Sequence, residues 1–514
     1  MPEPAHDLLS DELLEVGFHG EGAPRRLSLP GVFEALASGD RISSFSELQA
    51  HQSQAWYCFL CQLAAITLAR ADVDTLEEAS GRWTELLLAL TDGQREPWCL
   101  VVPDLSRPAF LQPPVPEGEW SALDKTVEQP DDLDLLVTST NHDVKITRID
   151  RPEPAHWIYA LVSLQTMANF GGFGNYGVAR KSSGYSCRPF VGVAPGLGWG
   201  ERFRRDVRVL LDARNEIAER HGFDADGGLA LLHLAPWDGT DMLPIEELDP
   251  YFVEVCRRVR LKETTGGLVA RRTTTRSRRV AAKELTGNVG DPWTPIRVSD
   301  GTALNVTGSG FGYELVTDLV LTGEYQPGAA GRIHGGDPDD PYLICQALSR
   351  GQGQTDGLHE RIVPIPGHVR PRLMQADTRD ELAERAQNRI EFVGTVQSSA
   401  LRPALCVLFQ GDPESLDFQD DRPRPWLRRH DGRIDRIFFE RLWEHAELPA
   451  DEAARAWEEE VVEIAADVLE EAMQRAAVPE ARHYRGLAGA ERVFAGARRK
   501  LLGAPDEENR EAIG

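Results

Sequence analysis

Val363-Pro364-Ile365-Pro366-Gly367, with Pro371 just beyond, is the stretch on which the reading of this chain turns, because the residue pattern differs on its two sides. Paired prolines and a glycine interrupt any regular element that meets them. Downstream, segments 377–410, 434–447, 451–477 and 487–502 carry apolar residues at helical spacing with few strand signals. In the third, Trp457, Val461, Ile464 and Val468 recur at steps of four, three and four, one stripe of a 3.6-residue helix. The pattern predicts an antiparallel four-helix bundle over 371–514. The terminal Pro505-Asp506-Glu507-Glu508-Asn509-Arg510 run is polar and predicts a frayed end.

Upstream, helix and strand signals are mixed, so residues 1–370 read as one large mixed α/β domain and the whole as an α+β protein. Residues 50–70 place Trp56, Phe59 or Leu60, Leu63 and Ile66 or Thr67 on one helical face. Trp98-Cys99-Leu100-Val101-Val102, ended by Pro103, reads as a strand, as do Leu229–Leu234 and Tyr342–Cys345. From His156 to Ala168 the apolar period is helical and breaks at Gly171-Gly172. Residues 110–134, rich in Pro, Glu and Asp, read as loop.

Hydrophobic residues at 41% and charged residues at 27% of 514 belong to an ordinary globular protein and exclude wholesale disorder. No run approaches the roughly 18 apolar residues that span a bilayer, and the first residues lack a secretory pattern, so the expected location is cytoplasmic, with no membrane partner. Seven scattered cysteines make no disulfide framework. Cys58 and Cys61 have C-x-x-C spacing, yet their apolar surroundings and the lack of a second pair predict buried helix residues, with no metal and no cofactor.

The net charge is −26, but between Arg257 and Lys283 ten Lys and Arg face a single acidic residue, Glu263. Arg271, Arg272, Arg276, Arg278 and Arg279 lack interleaved carboxylates, so their repulsion stays uncompensated until phosphates arrive. Nucleic acid is the expected partner. Gly172-Phe173-Gly174-Asn175-Tyr176-Gly177 matches G-x-G-x-x-G, but a helix signal precedes it where a dinucleotide site needs a strand. Two readings remain for it: a tight turn between core elements, or a glycine loop whose bare backbone approaches a nucleic-acid groove, with Arg180 and Lys181 adding phosphate contacts. Arg350-Gly351-Gln352-Gly353-Gln354-Thr355-Asp356-Gly357 sets two glutamines in a glycine-rich turn, either a plain hydrophilic loop or one able to lie against a base pair. Nucleotide-loop, zinc-protease and serine-hydrolase motifs are absent, and no catalytic residue is indicated.

Taken in order, Leu161-Val162-Ser163-Leu164-Gln165-Thr166 leading into Phe170-Gly171-Gly172-Phe173-Gly174, with Asp7-Leu8-Leu9-Ser10, Leu27-Ser28-Leu29-Pro30 and Asp291-Pro292-Trp293-Thr294-Pro295, resemble the CasA large subunit of type I-E CRISPR Cascade. The resemblance spans nearly the whole chain and implies a binding role in antiviral defence. In that family the large subunit inspects double-stranded target DNA for the protospacer-adjacent motif from the minor groove and starts strand separation, while guide RNA reads the target. Carried over by residue, it implies motif recognition by Gly171, Gly172, Phe173, Gly174, Asn175 and Lys283. A strand-separating wedge would be Gln352, Gly353 and Gln354, and the guide-RNA 5′ handle would meet Asn141, His142 and Lys145. Partners implied are the backbone, handle-binding and small Cascade subunits and a recruited helicase-nuclease. The chain departs from many relatives in lacking a cysteine-rich knuckle, having only Cys256 in that region, and in carrying glycine and glutamine at the wedge. Two other functions stay open on sequence grounds: a nucleotide-binding enzyme using the Gly172–Gly177 loop, and an assembly scaffold that never touches DNA.

Overall fold

The structure, a computed structural model, describes residues 3–39, 41–76, 79–135, 149, 151–182, 184, 186–350, 355–411, 416–475 and 480–503. The chain divides into two compact units, residues 1–311 with 323–364 and residues 312–322 with 365–514. The change of chain character read at Val363–Gly367 coincides with the break between Pro364 and Ile365.

The first unit is built around the Ser53–Arg70 helix, in which 15 of 18 residues are buried, so it is enclosed all round rather than on one face as the spacing predicts. The Pro154–Met167 and Trp199–His221 helices and the Leu248–Val253 strand pack against it. Trp56 stacks on Phe59 at 5.5 Å and meets Tyr159 edge-on at 5.1 Å. Its polar residues find partners: Gln54 donates to the Arg188 carbonyl at 2.7 Å and Gln62 to the Tyr251 carbonyl at 3.0 Å. Cys58 and Cys61 are buried here, and burial pushes the Cys58 thiol up to about 12, away from a ligating thiolate.

Two antiparallel sheets position the basic stretch and the strands that flank the glutamine-bearing segment. Arg258–Thr264 and Gly267–Thr273 form an antiparallel hairpin whose register pairs Arg258 with Thr273 and Arg260 with Arg271. Lys125–Val127 adds a third strand, setting Arg272 opposite Lys125. The basic stretch is therefore half strand. Residues 110–134, read as loop, supply that third strand and short helical turns at Trp120–Ala122 and Pro130–Leu133, elements too brief for any periodicity to register. In the second sheet, Tyr342–Arg350 lies between Thr355–Pro364 and Phe190–Ala194.

The second unit holds the helices Ala376–Val396, Arg402–Gln410, Arg424–Glu444, Ala450–Arg475 and Glu480–Leu502. The first two run on through a π-helical turn at Gln397–Leu401, which accommodates Pro403, a residue with no N–H to offer the helix. This Ala376–Gln410 run is long and apolar enough to cross a membrane by length and composition, although no unbroken apolar run shows in the sequence. More than half of its apolar window is buried inside the protein. The Tyr313–Val320 helix, from a segment that sequence leaves in the first domain, belongs to this unit. Tyr313 stacks on Phe438 at 4.8 Å, its hydroxyl donates to Asp431 at 3.0 Å, and its backbone N–H donates to Asp435 at 2.8 Å.

Candidate nucleic-acid interface

The glycine loop begins where the Pro154–Met167 helix ends and Ala168 turns to extended backbone. The chain returns at Val178, whose N–H donates to the Ala168 carbonyl at 2.9 Å and closes the loop's neck. Gly177 permits this approach, since a Cβ there would lie 2.8 Å from the Asn169 carbonyl carbon. At the tip, Gly171 N donates to Asn175 O at 2.8 Å and Asn175 N to Gly172 O at 3.0 Å. Gly172 and Gly174 take φ of +101° and +80°, conformations that L side chains rarely adopt. Between them Phe173 is 88% exposed. A helix precedes this loop, and no helix follows it among the described residues before the Phe190–Ala194 strand, so among the described residues the strand–loop–helix frame of a dinucleotide site is missing.

The basic hairpin holds the loop. Because Arg258 pairs with Thr273, residues 257 and 274 leave the same end of the hairpin side by side. From one strand, Arg257 donates to the carbonyls of Tyr176 and, at 3.3 Å, Asn169. From the other, Thr275 N donates to the Gly174 carbonyl at 2.9 Å. Thr274 packs so closely that its Cβ would be 2.7 Å from a Cβ on Gly174. Two segments almost a hundred residues apart thus form one surface feature.

Not all the basic residues reach that surface. Arg257, Arg258, Arg260 and Arg279 are buried, four of the ten in the stretch. Arg260 donates to the carbonyls of Arg107 at 2.8 Å and Val102 at 2.9 Å, and Arg258 pairs with Glu117 at 2.8 Å. Arg279, expected at a phosphate, donates to the Ala235 carbonyl at 2.9 Å and lies over Trp237; burial pushes its pKa down to about 10. Arg180 and Lys181, also expected at phosphates, are likewise buried and used internally. Arg180 sits 3.7 Å over the Phe252 ring, donates to the Phe252 carbonyl at 3.0 Å, and has Glu254 and Asp291 carboxylates at 3.8 and 4.0 Å. Lys181 Nζ donates to Asn305 Oδ1 at 3.0 Å, and burial pushes it down to about 8. These three cations face inward because the strands and turns that carry them pass under the surface.

What remains for a polyanion is a shorter set. Lys262, Arg276 and Lys283 are exposed and Arg271, Arg272 and Arg278 half-buried, with Lys262 lying over the Trp120 ring and Arg271 tied to the Leu123 carbonyl at 2.9 Å. Burial, then the neighbouring Arg257, lowers the Arg272 pKa, a local excess of positive charge. Lys283 opens a single helical turn, Lys283–Leu285, whose following Gly287 rests on the Lys181–Ser182 backbone just beyond the glycine loop. Among the described residues no hydrogen bond joins Lys283 to the loop itself. Gln352, Gly353 and Gln354, between the Tyr342–Arg350 and Thr355–Pro364 strands, lie outside the described residues, as do Asn141, His142 and Lys145.

The sequence reading does not pick out Arg257, Thr274 and Thr275 as the anchors of the glycine loop, nor Glu254, which accepts from Ala179 N at 2.6 Å beneath it. Arg257 heads the basic run, but spacing alone cannot say that its guanidinium turns inward. Among the described residues no group of three His, Cys, Asp or Glu is placed to hold a metal ion.

No family model matches this sequence, and no curated protein does. Solved structures do. Cse1, a CRISPR-associated protein from Acidimicrobium ferrooxidans, superposes with a TM-score of 0.64 at 17% identity, over 98% of this chain and 100% of that one. CasA (Cse1) from Thermus thermophilus gives 0.60 at 16% identity over 97% and 99%, and Cse1 from Thermobifida fusca 0.57 at 15% over 97% and 98%. The chain has the fold of these Cse1/CasA proteins, a mixed α/β region followed by a helical C-terminal region.

Proposed function

We propose that this chain is the large subunit of an RNA-guided CRISPR surveillance complex of the type I-E Cascade class, a non-catalytic, cytoplasmic protein that recognises the protospacer-adjacent motif in double-stranded DNA and begins strand separation. The observation that carries the reading is the hydrogen bond from Thr275 N to the Gly174 carbonyl, which seats the glycine loop on the basic hairpin within a Cse1/CasA fold. A loop tip made of Gly171, Gly172 and Gly174 brings bare backbone and the Asn175 amide close to the floor of a minor groove. Lys283 probes the minor groove beside the loop, Arg272, Arg276 and Arg278 meet phosphates on either side, and the minor-groove code, being degenerate, tolerates related motifs. Gln354 acts as the wedge, and Asn141, His142 and Lys145 meet the guide handle. The other Cascade subunits complete the assembly and a helicase-nuclease is recruited afterwards.

The test uses the assembled complex with guide RNA and three DNAs: a motif-bearing duplex, a scrambled-motif duplex and a pre-opened bubble. The parent is expected to prefer the motif-bearing duplex, Lys283→Ala to lose that preference, and Gln354→Ala to bind it yet open it poorly, with the bubble restoring pairing. A parent complex that treats motif and scrambled duplexes alike refutes the proposal.

A further inference from the structure

Phe173 is placed in a way that core packing does not explain. At 88% exposure it is the most exposed of the described large hydrophobic side chains, followed by Tyr484 at 84% and Val298 at 63%, and the other described phenylalanines are all below 50%. Nor is it the tip of a slack loop. The residues on both sides are glycines at positive φ, two backbone hydrogen bonds close the turn around it, and a third ties Gly174 to Thr275. The loop is braced behind by Phe170, whose ring centroid lies 6.1 Å from that of Tyr176. A well-held turn therefore presents one bare aromatic ring to solvent, one residue from the point where the basic segment attaches.

We infer that Phe173 is an apolar wedge that stacks against a base step of the bound duplex from the minor-groove side, unstacking it beside the recognised motif. The inference rests on the proposed DNA-recognition function and adds to it a residue that does mechanical work without reading sequence. Apolar side chains inserted between base steps kink and partly unstack a duplex, and stacking tolerates any base because every base has a π-face. Arg276, exposed and next to Thr275, is positioned for the phosphates flanking such a step, and its charge favours DNA over an apolar protein pocket as the occupant. The bracing of the turn matters because a backbone already held in place loses less freedom on insertion than a slack loop would.

The assembled, guide-loaded complex is tested on motif-bearing duplexes with 2-aminopurine placed singly at each base of and beside the motif. The parent is expected to raise the fluorescence at one step, the mark of unstacking. Phe173→Ala should abolish that rise and weaken duplex affinity about 10-fold, about 1.4 kcal/mol, while binding pre-opened bubble DNA as the parent does. Phe173→Trp, which keeps a stacking face, should retain both. If Phe173→Ala keeps motif preference, fluorescence and affinity, the wedge is overturned and the DNA-recognition reading stands. If the parent shows no motif preference, both fall. If Phe173→Ala spoils assembly with the other subunits and not DNA unstacking, the ring anchors a protein partner and the inference is likewise overturned.

Discussion

Replacing Gly174 by alanine should cost far more than replacing Gly172, although the two glycines bracket one residue and both hold positive φ. At Gly172, φ +101°, a Cβ meets nothing within 4 Å, so the change carries backbone strain alone, about 1–2 kcal/mol. At Gly174, φ +80°, the same strain is joined by a Cβ placed 2.7 Å from Thr274 Cβ, a separation that real atoms do not keep. Relief requires the loop to lift from the hairpin, breaking the Thr275 N to Gly174 O bond, worth about 1 kcal/mol. The total for Gly174→Ala is therefore about 2–4 kcal/mol, most of it expressed as release of the loop. Urea denaturation reads the stability, and duplex affinity of the assembled complex reads the loop. Thr274→Gly removes the opposing Cβ, so in a double-mutant cycle it should return about 1–2 kcal/mol of the Gly174→Ala loss and none of the Gly172→Ala loss. Equal effects of the two alanine variants on stability and binding, with no rescue by Thr274→Gly, would refute the docking of the loop on the basic hairpin.

Two arginines that sequence groups together should behave as opposites. Arg180→Ala leaves Glu254 buried beside a vacated cation site, while Asp291 keeps its pairing with Arg188, and should destabilise by about 3 kcal/mol, with duplex affinity unchanged in the fraction that folds. Arg276→Ala should alter stability by less than about 0.5 kcal/mol and reduce the slope of log affinity against log salt by about 0.9, as one lost phosphate contact requires. Glu254 supplies a pH test. Burial pushes its carboxyl from the ordinary 4.5 up to about 7, so the folded state holds a proton that the unfolded chain has released between those values. Stability contributed by that proton is complete below about pH 4.5 and is lost as pH rises to about 7, by at most about 3 kcal/mol. Chemical denaturation midpoints across pH 5–7.5 should fall in the parent and fall less in Glu254→Gln; parallel profiles would count against the assignment.

Much of the architecture is legible in order and composition. The Val363–Gly367 interruption, the Trp457-Val461-Ile464-Val468 stripe and the helix ending at the glycine pair all report local preferences, and local preferences survive into the fold. Where the reading falls short, the missing information is non-local. The Lys125–Val127 strand has no periodicity of its own and exists because the edge of Gly267–Thr273 offers it hydrogen bonds. The Tyr313–Val320 helix joins the second unit because Phe438, Asp431 and Asp435, more than a hundred residues on, supply its ring contact, its hydroxyl partner and an acceptor for its first N–H.

The candidate interface divides along the same line. Sequence alone determined that an acidic chain carries a dense cationic stretch, that a glycine loop follows a buried helix, and that the parts stand in a CasA-like order, since each is a property of residues near one another in the chain. Only the tertiary structure decided which cations remain available, turning Arg180, Lys181 and Arg279 inward while leaving Arg276 and Lys283 exposed. It also decided that the loop and the basic hairpin are one feature, through Arg257 and Thr275. The physical reason is that a charge count is blind to direction: whether a guanidinium meets solvent or a buried carbonyl depends on where the backbone beneath it runs.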